Sequence, residues 1–343
     1  MNNLKKIGLS ALAGSLVAVS ANAGELAVSG SAEFTYTNKD GSTGSGNNLT
    51  GNPYGAQQAI SFTGSGDVGF GELTVVRTLN DDGSSNATSY STLDMGDMGT
   101  VSFDSAGGGL VGLGANDDIL PTAYEEIWTG TSSSYISGAN SNNTLGYANT
   151  IGPVSFSAGY QKDGATANQS ESSASGAGIT GSSTSYYASV DMGAFGVDGL
   201  SIGAGASEST QNTTATTDAD TKYVSGNVNY SMGNVSVGYR QGQKNDGTAA
   251  TQSTQVSAYS IAFNVNENFA ISYGEQTAER DDSSTTTTTV DEEVTGINAT
   301  YTMGAASIRI LNSVSDNDNF VSAAEQEHTE ISLVLSFLSL IHI

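Results

Sequence analysis

The chain has two histidines, His328 and His342, among its 343 residues, and no cysteine. A Ser-His-Asp site needs a histidine held between nucleophile and acid. His328 instead opens the last strand-like segment, with Glu330 on the same polar face, and reads as a wall or loop histidine. The absence of cysteine removes disulfides and thiolate metal sites. Gly107-x-Gly109-x-x-Gly112 has the spacing of a dinucleotide fingerprint, but it lacks the strand–turn–helix setting and the downstream βαβ pattern. Asp218-x-Asp220 and Asp316-x-Asp318 lack the Gly and terminal Glu of a Ca²⁺ loop. No catalytic residue, cofactor site or dedicated metal site is expected. What remains is a set of carboxylates, Asp117, Asp118, Glu125 and Glu126, in one long connection. With them stand Pro121, placed to open a short helix, and Trp128, the chain's single tryptophan.

The elements that must position these acids show a period of two. Leu26, Val28, Ala32, Phe34 and Tyr36 share one face, and Ser29, Ser31, Glu33 and Thr35 the other. Seven hairpin-like units follow, four of them turning at Met-Gly: Met95-Gly96, Met192-Gly193, Met232-Gly233 and Met303-Gly304. The last strand carries Ile331, Leu333, Leu335 and Phe337 on one face, against Glu330, Ser332 and Ser336 on the other. Val334 is its apolar exception. The count is 16 strands, an even number that lets the last strand pair with the first. Turns within hairpins are short. Connections between them are long and rich in Ser, Thr, Asn, Asp and Gly. The longest, from about Ser105 to Asn143, holds the four acids. Arg77, Arg240 and Arg309 are the arginines expected in strands. Arg240 and Arg309 face the polar side. Arg77 shares the parity of Leu73 and Val75, so its side depends on whether a bulge intervenes.

Composition agrees with an all-β transmembrane barrel. The hydrophobic fraction is 37% and the formal charge −25, with 43 Gly, 3 Pro and 15 Tyr. A chain this acidic is a poor partner for nucleic acid and a natural one for cations. Residues 1–23 read as a signal peptide: Lys5 and Lys6, an apolar run from Ile7 to Val19, then Ala21-Asn22-Ala23. Loss of the two lysines with it makes the mature charge about −27. No run of 18 apolar residues follows that leader, so any membrane crossing falls to strands.

On these features the chain resembles a Gram-negative general porin of the alphaproteobacterial type. The resemblance spans residues 1–337. It rests on the leader, the 16-strand layout, the terminal strand ending at Phe337 and the long third connection. It implies a 16-stranded barrel in the outer membrane, a homotrimer, and a passive channel for small hydrophilic solutes. The third loop would fold into the pore. Asp117, Asp118, Glu125 and Glu126 would then form an acidic constriction that favours cations, and Arg77, Arg240 and Arg309 would be the basic residues of the pore wall. The Pro-Glu-Phe-Gly tip of enterobacterial porins is missing, so this transfer is by position. A solute-specific channel, or a barrel that only displays its loops, are the alternatives. Barrels of this kind end in an aromatic residue that takes part in insertion, the place of Phe337. Residues 24–337 are thus the barrel. Residues 338–343 overhang it, either as an artefact of the sequence's end or as a true extension.

Overall fold

A computed structural model of the chain describes residues 24–41, 51–80, 86–106, 109–116, 118–133, 135–136, 143–162, 181–211, 219–246, 252–282 and 290–341. The expected leader, Asp117 and His342 lie outside them. Sixteen strands form one closed sheet: β1 (Glu25–Gly41), β2 (Tyr54–Asp67), β3 (Glu72–Asn80), β4 (Asn86–Asp94), β5 (Thr100–Ala106), β6 (Thr144–Ile151), β7 (Val154–Lys162), β8 (Ser182–Asp191), β9 (Leu200–Gln211), β10 (Ala219–Met232), β11 (Val235–Asp246), β12 (Gln252–Asn266), β13 (Phe269–Asp282), β14 (Glu292–Met303), β15 (Ala306–Asp316) and β16 (Glu325–Ile341). Each strand pairs antiparallel with its neighbours in sequence, and β1 closes on β16. Closure leaves no strand edge to be satisfied in lipid. The pairing of β16 with β1 continues past Phe337 to Leu26↔Ile341.

The sheet is inside out relative to a soluble protein. Along β16, Ile331, Leu333, Leu335 and Phe337 are 43%, 47%, 49% and 52% exposed, whereas Ser332 between them is fully buried. The same alternation runs round the barrel, with Phe34, Phe62, Val228, Ile261, Ile271 and Ile297 outward. An apolar exterior and a polar interior are what a bilayer on one side and water on the other require.

The rims differ. One carries the short links, such as Gly152-Pro153, Gly233-Asn234 and Gly304-Ala305. Gly152, Gly233 and Gly304 take φ of about +60° there, where a side chain would be strained. The other rim carries the long connections, including 107–143 between β5 and β6. Short turns mark the periplasmic end of such a barrel and long loops the extracellular end.

Candidate functional site: the third loop inside the barrel

The 107–143 connection does not stay at the rim. Its described residues run along the inner wall, and the wall's own side chains hold its backbone. Ser157 of β7 accepts from the Gly112 amide (2.9 Å), and Ser185 of β8 from that of Leu113 (2.7 Å). Asn229 of β10 donates to the Ile119 carbonyl (3.1 Å), and Ser260 of β12 to that of Pro121 (2.8 Å). Ser272 of β13 accepts from the Ala123 amide (2.8 Å), while Thr300 of β14 donates to its carbonyl (2.6 Å). Asn298 of β14 donates to the Glu125 carbonyl (2.9 Å), and Gln326 of β16 to that of Gly130 (3.0 Å). These bonds explain why the short helix expected at Pro121 does not form. The Pro121, Ala123 and Glu125 carbonyls and the Ala123 amide are taken by the wall, which diverts them from an i→i+4 ladder.

Glycines on the inner face make room for the chain. A β-carbon on Gly238 would sit 2.5 Å from Pro121 Cδ, and one on Gly274 would sit 2.7 Å from Ile127 Cγ2. Leu120 and Ile127 then pack on Ala258, and Tyr135 and Ile136 on Val256 and Ala278. These small clusters are apolar cores of the loop rather than of the barrel.

The acids gather at the end of this path. Asp118 is exposed and Glu125 and Glu126 are half-buried. Burial pushes the Glu125 carboxyl up to about 7, and the charges of Glu126, Glu330 and Asp118 add to the shift. The wall beneath is acidic as well. The Tyr124 hydroxyl donates to Glu330 of β16 (2.9 Å) and lies 3.3 Å from Glu33 of β1, which also accepts from Ser332. Burial, and then the bond to Glu330, raise the Tyr124 phenol well above its ordinary range, so it remains a donor. One tyrosine thus ties the loop to two carboxylates across the seam where the barrel closes. His328 is buried beside them, its Nε2 3.8 Å from Glu330, and its ring lies against Gly130 of the loop.

Of the three arginines expected on the pore wall, Arg77 and Arg240 are withdrawn from it and Arg309 is not. Arg77 stands on the outer face with Leu73 and Val75 and is exposed there. The bulge that would have turned it inward comes one residue later, between Thr78 and Leu79. Arg240 does point inward but is fully buried under the loop, 3.0 Å from the Tyr135 ring centroid and 5.8 Å from that of Trp128. It is a floor for the loop rather than a face of the pore. Arg309 is inward and half-buried, 5.2 Å from the Tyr124 ring. A fourth strand arginine, Arg280 of β13, lies against Phe320 at 3.7 Å. Sequence reasoning missed it, as it missed Glu33, Glu330 and Tyr124 as members of the site. The inward parity of Glu33 and Glu330 was the available signal.

The description of a Gram-negative porin matches residues 8–335. No curated protein sequence matches the chain significantly. Among solved structures, the trimer form of OmpT, an outer membrane protein of Vibrio cholerae, is 13% identical. It superposes with a TM-score of 0.65 over 92% of this chain and 100% of that one. An anion-selective porin from Comamonas acidovorans is 15% identical, with a TM-score of 0.60 over 91% and 98%. Salmonella typhi OmpF, in complex with daunomycin, is 13% identical, with a TM-score of 0.61 over 93% and 99%. At such identities the structures attest the shared fold. With its closed 16-strand barrel and the match over nearly its whole length, the chain belongs to the Gram-negative porin family and is an integral diffusion channel of the outer membrane.

Proposed function

We propose that this channel passes small hydrophilic solutes passively, without catalysing a reaction, and that its constriction selects cations. The observation that carries the reading is the meeting of loop and wall acids. Glu125, Glu126 and Asp118 come together with Glu330, and Tyr124 links them to Glu33, while Arg77 and Arg240 are withdrawn from the lumen. Carboxylates in a narrow, low-dielectric passage raise the local concentration of cations and exclude anions. The anion selectivity named for the Comamonas porin is therefore not expected here. The purified protein in a planar bilayer, held across a KCl gradient, should give a reversal potential of cation sign. An anion-sign potential would refute the acidic constriction, and a bilayer that never conducts would refute the channel.

The assembly follows from the outer face. Arg77 sits there between apolar neighbours, and a charged side chain facing mid-bilayer lipid costs about 2–4 kcal/mol. A second copy covering this face offers it a polar surround instead. This supports a homotrimer, the form reported for the OmpT structure. Unheated protein should migrate on a gel as a trimer and collapse to a single chain on boiling. A species that migrates as one chain without heating would count against the trimer.

A further inference from the structure

Beneath the loop, several of the wall's polar side chains are closed to solvent. Ser185, Asn298 and Ser332 are 0% exposed and Ser260 is 2% exposed. On β2, β3 and β4 the inner-face residues Ser61, Thr63, Thr74, Thr78, Tyr90 and Thr92 are all half-exposed. None of the loop anchors named above falls on these three strands. Their inner faces are the wall left open to the channel.

That wall is uncharged. Between the acids at its periplasmic rim, Asp67, Glu72 and Asp94, and the extracellular strand ends, its described inner residues include no Asp, Glu, Lys or Arg. Hydroxyls take the place of charge. Ser61 and Thr78 are 2.6 Å apart across β2 and β3, and the rows Ser65↔Thr74↔Thr92 and Ser61↔Thr78↔Thr88 flank the row Thr63↔Val76↔Tyr90, in which Val76 is apolar. A hydroxyl both donates and accepts, so a row of them can stand in for the hydration of another hydroxyl or of an ammonium group. It exerts no repulsion on a cation, which a row of arginines would.

We infer that the solutes this channel is built for are polyhydroxylated organic cations, of the amino-sugar and amino-alditol class. The ammonium group follows the acids of the loop and seam, and the hydroxyls exchange water for the β2–β4 wall. The inference rests on the diffusion-channel reading and sharpens it.

The test uses two ions with similar polyhydroxylated chains and opposite charge, N-methylglucamine and gluconate. In bilayers that conduct KCl, the permeability of the glucamine cation should exceed that of gluconate by roughly tenfold or more, the scale of enrichment that a charged cleft provides. Thr78→Arg, which puts a base on the open wall, should lower that ratio several-fold while the barrel stays heat-modifiable. Thr92→Arg does the same on β4 should the first variant fail to fold. A wild-type channel that passes gluconate as readily as glucamine overturns the inference and leaves the channel standing. A ratio untouched by a folded arginine variant also overturns it. Absence of KCl conductance would sink the channel reading itself.

Discussion

Gly296→Val should unseat the third loop while leaving the barrel intact, giving a flickering channel of lower mean conductance. Gly296 lies on the inner face of β14 directly beneath Ile127. A β-carbon there would come within 2.7 Å of Ile127 Cα, 2.8 Å of its carbonyl oxygen and 2.9 Å of its Cβ. Two are backbone atoms and Cβ is fixed to one of them, so no rotamer change relieves the contacts. The neighbouring Gly274, paired with Gly296 in register, leaves the same space on β13. The strain has one outlet, movement of the 123–128 segment into the lumen. Overpacking costs about 1–3 kcal/mol. The bonds of Ser272, Thr300 and Asn298 that hold this segment contribute about 1 kcal/mol each. The two totals are comparable, so the loop should exchange between seated and displaced positions rather than simply leave. Valine is otherwise favoured in strands, which confines the damage to the loop. Single-channel recording reads the result, and a current with wild-type amplitude and noise would show that Ile127 does not depend on this seat.

How much of this was legible in the sequence depends on what each residue touches. The strands were legible because lipid and water impose opposite demands on alternate residues, so Ile331, Leu333 and Leu335 announce the outer face. The signal fades where a strand rises above the apolar band, because both of its faces then meet water. Thr277, Glu279 and Asp281 alternate with Ala278 and Arg280 near the end of β13. No apolar row marks the outside there, and Arg280 was left out of the strand count. Parity with Leu73 and Val75 left the side of Arg77 open, because a bulge before it would have turned it inward; the bulge follows it instead. The loop path was not legible, because its determinants are distant pairs. Ile127 meets Gly296, Tyr124 meets Glu33 and Glu330, and Arg240 lies under Trp128 and Tyr135. Each partner looks ordinary alone. The transfer of Arg240 to the pore wall failed for this reason: inward parity places a side chain on the lumen side and cannot say that a loop covers it.

The second large effect is a pH dependence that Glu125 alone should carry. Its carboxyl is raised to about 7, through burial first and then through Glu126, Glu330 and Asp118, with Tyr124 and Arg309 beside the same cluster. Two consequences have opposite signs. The carboxylate that enriches cations exists above about pH 7 and is neutralised below it, so cation preference should fall as pH drops from 8 to 6. Loop seating runs the other way. An acid whose folded value is raised contributes stability that is full below its ordinary range near 4.5 and is lost as pH rises through about 7. The channel should therefore be more selective and noisier at pH 8, and less selective and quieter at pH 6. Glu125→Gln fixes the neutral form, and should show the pH 6 selectivity and quiet current at both values. Adding Glu126→Gln removes the neighbouring charge and should lower the cation-to-anion permeability ratio further, on the order of several-fold. A general acid effect on the barrel would persist in the Glu125→Gln channel. Persistence of the step between pH 8 and 6 in that variant would remove Glu125 as its source, and its disappearance would locate the selectivity at the point where loop and wall acids meet.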